Sequence, residues 1–284
     1  MTKDIVLGSH ISVAGGLHKA FDRGESIGCT AMQIFTKSNR ILFEKQLTQE
    51  QIEHFKERRT TSTIKDIVVH TGYLINIGSG KSQTAHQSTN ALLEEVRRCQ
   101  SLGLKKLVLH PGAHVGAGED VCIKRIAHNL DHVLEQGDGT VTIVLEGMAG
   151  QGTTIGGTFE QLNAIRSLCT NKRHIGFCLD TCHLFAAGYD IATEDGYKDT
   201  IKKFDSTCGL EHVKAIHVND SQTKFNSHVD RHAPIGKGHI PLTTFELLMN
   251  DQRLNKIPKI LETPSEPDMK LWAEEIILLH GMVK

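Results

Sequence analysis

Thr142-Ile143-Val144-Leu145-Glu146 is the stretch that decides the fold. It is a short β-branched run, apolar at every interior position instead of alternating, as suits a strand buried on both faces, and it stops on a carboxylate. The same pattern returns in both directions. Ile5-Val6-Leu7, Ala31-Met32-Gln33-Ile34-Phe35, Ile67-Val68-Val69-His70 and Leu107-Val108-Leu109-His110 precede it. Gly176-Phe177-Cys178-Leu179-Asp180, Ala215-Ile216-His217-Val218 and Lys259-Ile260-Leu261-Glu262 follow. The strand ends fall at 10, 35, 70, 110, 146, 180, 217 and 262, a spacing of 25 to 45 residues. That leaves room for one helix in each interval.

The intervals read as helices. Thr48-Gln49-Glu50-Gln51 is a capping box opening a polar-faced helix through Arg59. Ala91 to Cys99 runs into Gly103, suited to a left-handed C-terminal stop. Cys122, Ile126, Leu130, Val133 and Leu134 share one helical face, with Gly137 following. Pro241 opens a helix carrying Phe245 and Leu248, and Trp272 to Leu279 forms the last. Eight βα units at this spacing specify an α/β fold, a (β/α)8 TIM barrel, read as one domain over residues 1–284. A doubly wound open sheet is the alternative, but no G-x-G-x-x-G follows the first strand.

Composition narrows the function. The 284 residues carry 32 Lys+Arg against 33 Asp+Glu, a net charge of −1, which excludes a coat of basic surface though not a local basic patch. No apolar run approaches the ~18 residues of a membrane span, and Met1-Thr2-Lys3-Asp4 leads into the first strand without a signal-peptide core. Seven scattered cysteines point to reduced thiols and a cytoplasmic protein. Cys178 and Cys182 flank Asp180 but lack a second pair, so they are read as packing residues. Seventeen histidines, against ten Phe, three Tyr and one Trp, ask for a chemical explanation.

The strand ends supply it. Active sites of such barrels lie at the C-terminal ends of the strands. Six consecutive strands end on a metal-competent side chain: His70, His110, Glu146, Asp180, His217 and Glu262. Three more donors lie in loops just behind, His183 after the sixth strand and Asp230 and His232 after the seventh. Imidazoles and carboxylates converging on one axis stay undersatisfied unless cations hold them. Nine donors suit two or three metals, with a carboxylate bridging. Imidazole and carboxylate without thiolate favour Zn²⁺, with Mn²⁺ admissible. Three divalent cations and four carboxylates leave about +2, which attracts an anion such as phosphate. His128 and His132, four apart on a helix, lack the Glu of a zinc motif and lie off the apolar stripe, so they are read as solvated. His10 ends the first strand and is read as lining the pocket.

The chain also resembles the endonuclease IV family of apurinic/apyrimidinic endonucleases over essentially its whole length. The matching stretches include Gly8-Ser9-His10-Ile11-Ser12, Phe35-Thr36-Lys37, His70-Thr71-Gly72-Tyr73, His110-Pro111-Gly112-Ala113-His114, Leu179-Asp180-Thr181-Cys182-His183, His217-Val218-Asn219-Asp220, Asp230-Arg231-His232 and Leu261-Glu262-Thr263-Pro264. The resemblance implies three zinc ions per chain: one on His70, His110 and a bridging Glu146, a second on Glu146, Asp180, His217 and Glu262, a third on His183, Asp230 and His232. It implies cleavage of duplex DNA on the 5′ side of an abasic site, leaving a 3′-hydroxyl and a 5′-deoxyribose phosphate, cleaning of blocked 3′ ends, and a monomer meeting its substrate in the nucleoid. Glu146 and Glu262 are the candidates to position or deprotonate the water, which would attack directly as a hydroxide generated among the metals. For DNA contact, Lys37 and Arg40 follow the second strand, Tyr73 the third, and Lys224, Arg231 and Lys237 the seventh; the resemblance implies that Arg40 and Tyr73 insert at the lesion while the nucleotide flips out. Two positions depart from the family pattern: Gly147 stands where a small polar residue is usual, and Asn226 where Gly is common. The rival readings are a sugar isomerase or epimerase, which needs fewer ligands, and a non-catalytic metal-dependent binding protein.

Overall fold

The computed structural model describes residues 5–265 and 268–284, so the reading of Met1–Asp4 lies outside the described residues. Eight parallel strands close into a barrel: β1 (Leu7–His10), β2 (Ala31–Ile34), β3 (Asp66–His70), β4 (Lys106–Leu109), β5 (Thr142–Glu146), β6 (Ile175–Asp180), β7 (Val213–His217) and β10 (Lys259–Leu261). Their order follows the chain, and β10 pairs with both β7 and β1 to close the ring. The expected barrel is the observed one. Two short strands, β8 (Asp220–Ser221) and β9 (His232–Ala233), form an antiparallel pair in the loop after β7.

Around the barrel run α1 (Lys19–Ser26), α2 (Gln49–Thr61), α3 (Ser82–Leu102), α4 (Glu119–Glu135), α5 (Phe159–Leu168), α7 (Glu194–Cys208), α8 (Leu242–Asn250) and α9 (Lys270–Gly281), while α6 (Thr181–Ala186) is a short turn directly after β6. The capping box forms at Thr48 and Gln51, and Gly103 closes α3 at φ +69°. Cys122, Ile126, Leu130 and Val133 are buried on α4, whereas His128 and His132 face solvent. No described helix is long and apolar enough to cross a membrane.

Two apolar layers explain how the strands carry chemistry. The outward-facing residues Ile67, Val69, Leu107, Leu109, Ile143, Leu145 and Phe177 pack under the helices. Val68, Val108, Val144, Cys178 and Ala215 form a second, wholly buried cluster inside the barrel. Side chains along a strand alternate with period two, so the residue two beyond each inward apolar residue also points inward, one layer nearer the C-terminal rim. Val68 thus sets the direction of His70, Val108 of His110, Val144 of Glu146, Cys178 of Asp180 and Ala215 of His217. The apolar floor, with roughly 1.5–3 kcal/mol for each fully buried aliphatic side chain, holds the polar layer above it in place.

Some boundaries differ from the sequence reading. β1 begins at Leu7 and not Ile5, and β2 ends at Ile34. His110 and Glu262 stand one residue beyond their strands. His183 belongs to helix α6 instead of a loop, because the Asp180 side chain caps that helix by accepting from the His183 N–H at 2.9 Å.

Candidate metal centre

At the C-terminal rim the nine donors read from the sequence come together. Glu146 is at the middle, 1% exposed. Its Oε2 lies 3.2 Å from His70 Nε2 and 3.2 Å from His110 Nε2. Its Oε1 lies 3.1 Å from His217 Nδ1. His217 Nδ1 is also 3.1 Å from Glu262 Oε2 and 3.8 Å from Asp180 Oδ2. To one side, Asp230 Oδ1 lies 3.2 Å from His183 Nε2 and 3.3 Å from His232 Nε2. These donors form groups whose atoms lie within 4.8 Å of one another: His70, His110 and Glu146; Glu146, Asp180, His217 and Glu262; His183, Asp230 and His232. A further group of Asp180, Cys182 and His232 meets the same criterion, so Cys182 borders the centre as well as packing. Burial pushes its thiol up to about 12.

The imidazoles are presented with fixed tautomers. His70 Nδ1 lies 2.7 Å from the Thr71 carbonyl, His183 Nδ1 2.9 Å from the Gly147 carbonyl and His232 Nδ1 3.3 Å from the Glu262 carbonyl. A carbonyl only accepts, so each Nδ1 carries a proton and each Nε2 is the nitrogen left to face a cation. Asn219, which the donor count passed over, ties two strands together. Its Nδ2–H donates to Asp180 Oδ2 at 2.7 Å while its Oδ1 accepts from the Glu262 N–H at 2.8 Å. Asp220 organises the loop behind: its carboxylate accepts from the N–H groups of Ser221, Gly236, Gly238 and Ile240.

Two observations test whether the residues suit metal ions. Among the described residues, His183 Nε2 and His232 Nε2 are buried without a hydrogen-bond partner although Asp230 Oδ1 is close, so both nitrogens face a common point. The electrostatics also call for positive charge. Burial pushes the Glu146 carboxyl up, but the charges of His217 and His110 outweigh it and hold the group well below the usual carboxylate range. Burial pushes the His183 ring down, and Asp180, Asp230 and Glu146 reverse this and hold it well above its ordinary value. Carboxylates this buried draw cations, and the donor set of imidazole and carboxylate suits zinc.

A cavity of about 460 Å³ opens over the centre, lined by Tyr73, Gln222, Arg231 and Pro264 beside the donors. A second, of about 680 Å³, adjoins it and is lined by His10, Phe35, Asn39, Tyr73 and Trp272. Arg40 and Arg231 are exposed on the rim, as are Lys224 and Lys237, and Tyr73 is 57% exposed. Lys37 corrects the sequence reading. It is buried, its ammonium 3.2 Å from Glu95 Oε1 and donating to the Ile41 carbonyl at 2.9 Å, so it does not reach a DNA phosphate. Its partner lies 58 residues on, which no local pattern announces. The two departures differ in consequence. A side chain at Gly147 would meet only ordinary contacts, at 3.7 and 3.8 Å. Asn226 sits at φ +58°, a left-handed conformation that asparagine tolerates better than most residues.

Known proteins of similar fold and sequence bear on this centre. A family profile described as a xylose isomerase-like TIM barrel matches residues 21–280. A Chloroflexus aggregans protein named "Probable endonuclease 4" is 42% identical over 98% of this chain and 97% of its own. A Caenorhabditis elegans "Apurinic-apyrimidinic endonuclease" is 40% identical over 98% of this chain and 70% of its own length. The crystal structure of endonuclease IV from Thermus thermophilus superposes with a TM-score of 0.86 at 30% identity, covering 97% of this chain and 98% of that one.

Proposed function

Because the chain belongs to the endonuclease IV family, we propose that it is a zinc-dependent DNA-repair hydrolase that cuts duplex DNA on the 5′ side of abasic sites. The observation that carries this is the set of three donor groups sharing one cavity, with Glu146 common to two of them. A sugar isomerase or epimerase of the same barrel shape has no use for the third group, His183, Asp230 and His232.

His70, His110 and Glu146 would hold one zinc, Glu146, Asp180, His217 and Glu262 a second, and His183, Asp230 and His232 a third, with Mn²⁺ admissible in one position. Zinc bound there supplies Lewis acidity, which lowers the pKa of water and neutralises phosphate oxygens. The rest falls to the chain. Glu146, or Glu262 beside it, accepts a proton from water, whose oxygen attacks phosphorus in line with the leaving 3′ oxygen. One P–O bond forms and the P–O3′ bond breaks; the leaving oxygen takes up a proton from solvent, giving a 3′-hydroxyl and a 5′-deoxyribose phosphate. Blocked 3′ ends offer the same bond to the same groups. Arg40 and Tyr73, both exposed, would fill the stack vacated by a flipped abasic nucleotide, and Arg231, which lines the cavity, would contact a phosphate. The nine donors come from one chain, consistent with action as a monomer, and the substrate implies a place with the nucleoid in the cytoplasm.

The test is a duplex with one abasic site, incubated with and without a zinc chelator. Nicking that yields a 3′-hydroxyl and disappears on chelation is expected; intact duplex with zinc-replete protein refutes the assignment. Direct attack by water further requires a single inversion at phosphorus in a chiral phosphorothioate, and net retention would mean a covalent intermediate.

A further inference from the structure

Gln33 is a polar side chain in the otherwise apolar strand β2, and it is wholly buried. It faces His10 across the β1–β2 pairing, and its carboxamide spans three groups of the centre. Oε1 lies 2.9 Å from His217 Nε2. Nε2 lies 2.6 Å from Glu262 Oε1 and 3.0 Å from His10 Nδ1. The amide can point only one way, since a flipped amide would set its carbonyl oxygen against the Glu262 carboxylate at hydrogen-bond distance. With Oε1 towards His217, Nε2 must carry a proton, and Nδ1 is the nitrogen left to face a metal. That nitrogen faces Glu146 Oε1 and Glu262 Oε2, both at 3.1 Å.

His217 is therefore presented in the reverse sense to His70, His183 and His232. Those three have Nδ1 on a backbone carbonyl, which no side-chain substitution removes. His217 has its non-coordinating nitrogen on a side chain, and the same side chain holds Glu262. We propose that Gln33 is a positioning residue for the second metal position, setting the tautomer of His217 and aiming Glu262 with one carboxamide. The inference rests on the zinc-centre reading above and assigns a role within it.

The test compares metal-replete wild type with Gln33→Met, close in size but without the amide, and with Met32→Leu, a neighbouring core change that leaves the amide intact. Competition with a chelating chromophore reads the affinity of each bound zinc. One zinc of Gln33→Met is expected to bind about 10- to 100-fold more weakly, the range seen when outer-shell partners of metal ligands are lost, with the others and Met32→Leu unchanged. Long-range proton–nitrogen correlations in the zinc-loaded wild type should show His217 protonated on Nε2 and bare of a proton on Nδ1. A folded Gln33→Met that holds every zinc as wild type does, or a His217 protonated on Nδ1, overturns the role of Gln33. Should Gln33→Met fail to fold, the tautomer in wild type decides. A wild-type chain that binds no zinc overturns the reading of the centre and this role with it.

Discussion

Lys37→Met should destabilise the protein by about 3–5 kcal/mol, the cost of stranding one partner of a buried ion pair. The magnitude follows from the geometry. Lys37 Nζ and Glu95 Oε1 are 3.2 Å apart and both side chains are 1% exposed. Coulomb attraction at that separation is about 5 kcal/mol for an effective dielectric of ~20, and desolvation of the two ions offsets much of it. Removing the ammonium abolishes the attraction and leaves the carboxylate buried. Its remaining partners are the Thr36 hydroxyl at 2.8 Å and the Gly72 N–H at 3.3 Å, both neutral. The double variant Lys37→Met/Glu95→Met removes both charges, so it should lose less than the sum of the singles, with a coupling of roughly 1–3 kcal/mol. Urea unfolding of the four proteins, followed by circular dichroism, measures the cycle.

The same pair should matter to DNA. Glu95 joins the loop after β2 to Gly72 beside Tyr73, and Arg98, one helical turn on, donates to the carbonyls of Thr36, Glu44 and Lys45. Together they fix the loop that carries Arg40. Lys37→Met, at a temperature where it remains folded, should therefore bind abasic duplex more weakly while keeping its zinc. A single-variant cost below about 1 kcal/mol, or additive singles, would refute the argument that the pair is a buried clamp.

Arg40→Ala should weaken binding to abasic duplex, measured by fluorescence anisotropy, without changing zinc content; unchanged affinity removes Arg40 from the interface. Gly147→Ala should change stability by less than about 0.5 kcal/mol, since a Cβ there meets nothing closer than 3.7 Å. Gly238→Ala should cost about 1–3 kcal/mol and loosen the Asp230 and His232 loop, because its Cβ would lie 2.3 Å from the Ser221 carbonyl oxygen and 2.4 Å from Asp220 Oδ1; equal melting temperatures for the two variants would contradict this. All seven cysteines are buried, and burial raises Cys29, Cys122 and Cys178 to about 11 and Cys169, Cys182 and Cys208 to about 12. Thiols held protonated in this way should resist iodoacetamide at pH 8 in the native protein and react fully in urea, as mass spectrometry would read; rapid native alkylation of any of them contradicts the packing.

What the sequence disclosed and what it withheld divide along one physical line. A donor that ends a run apolar at every interior position, as Glu146 does, announces a place at the C-terminal rim, where such barrels keep their chemistry. The six strand-end donors could be read in this way from their own neighbours. Barrel closure brings residues together that share no such stretch. His10, Gln33, His217 and Glu262 meet because β10 pairs with β1 and β7, and β1 with β2. Lys37 turns inward because Glu95, on a helix 58 residues later, offers it a charge. In each case the side chain's own surroundings in sequence are misleading: a glutamine inside an apolar strand reads as an imperfection, and a lysine in a rim loop reads as a phosphate contact. Yet a buried amide in a strand is costly unless every donor and acceptor is satisfied, and this one is satisfied by the donor residues themselves. A lone polar residue at an inward position, one layer from a ring of donors, is therefore a signal that the sequence does carry, legible once the barrel has supplied the neighbours that answer it.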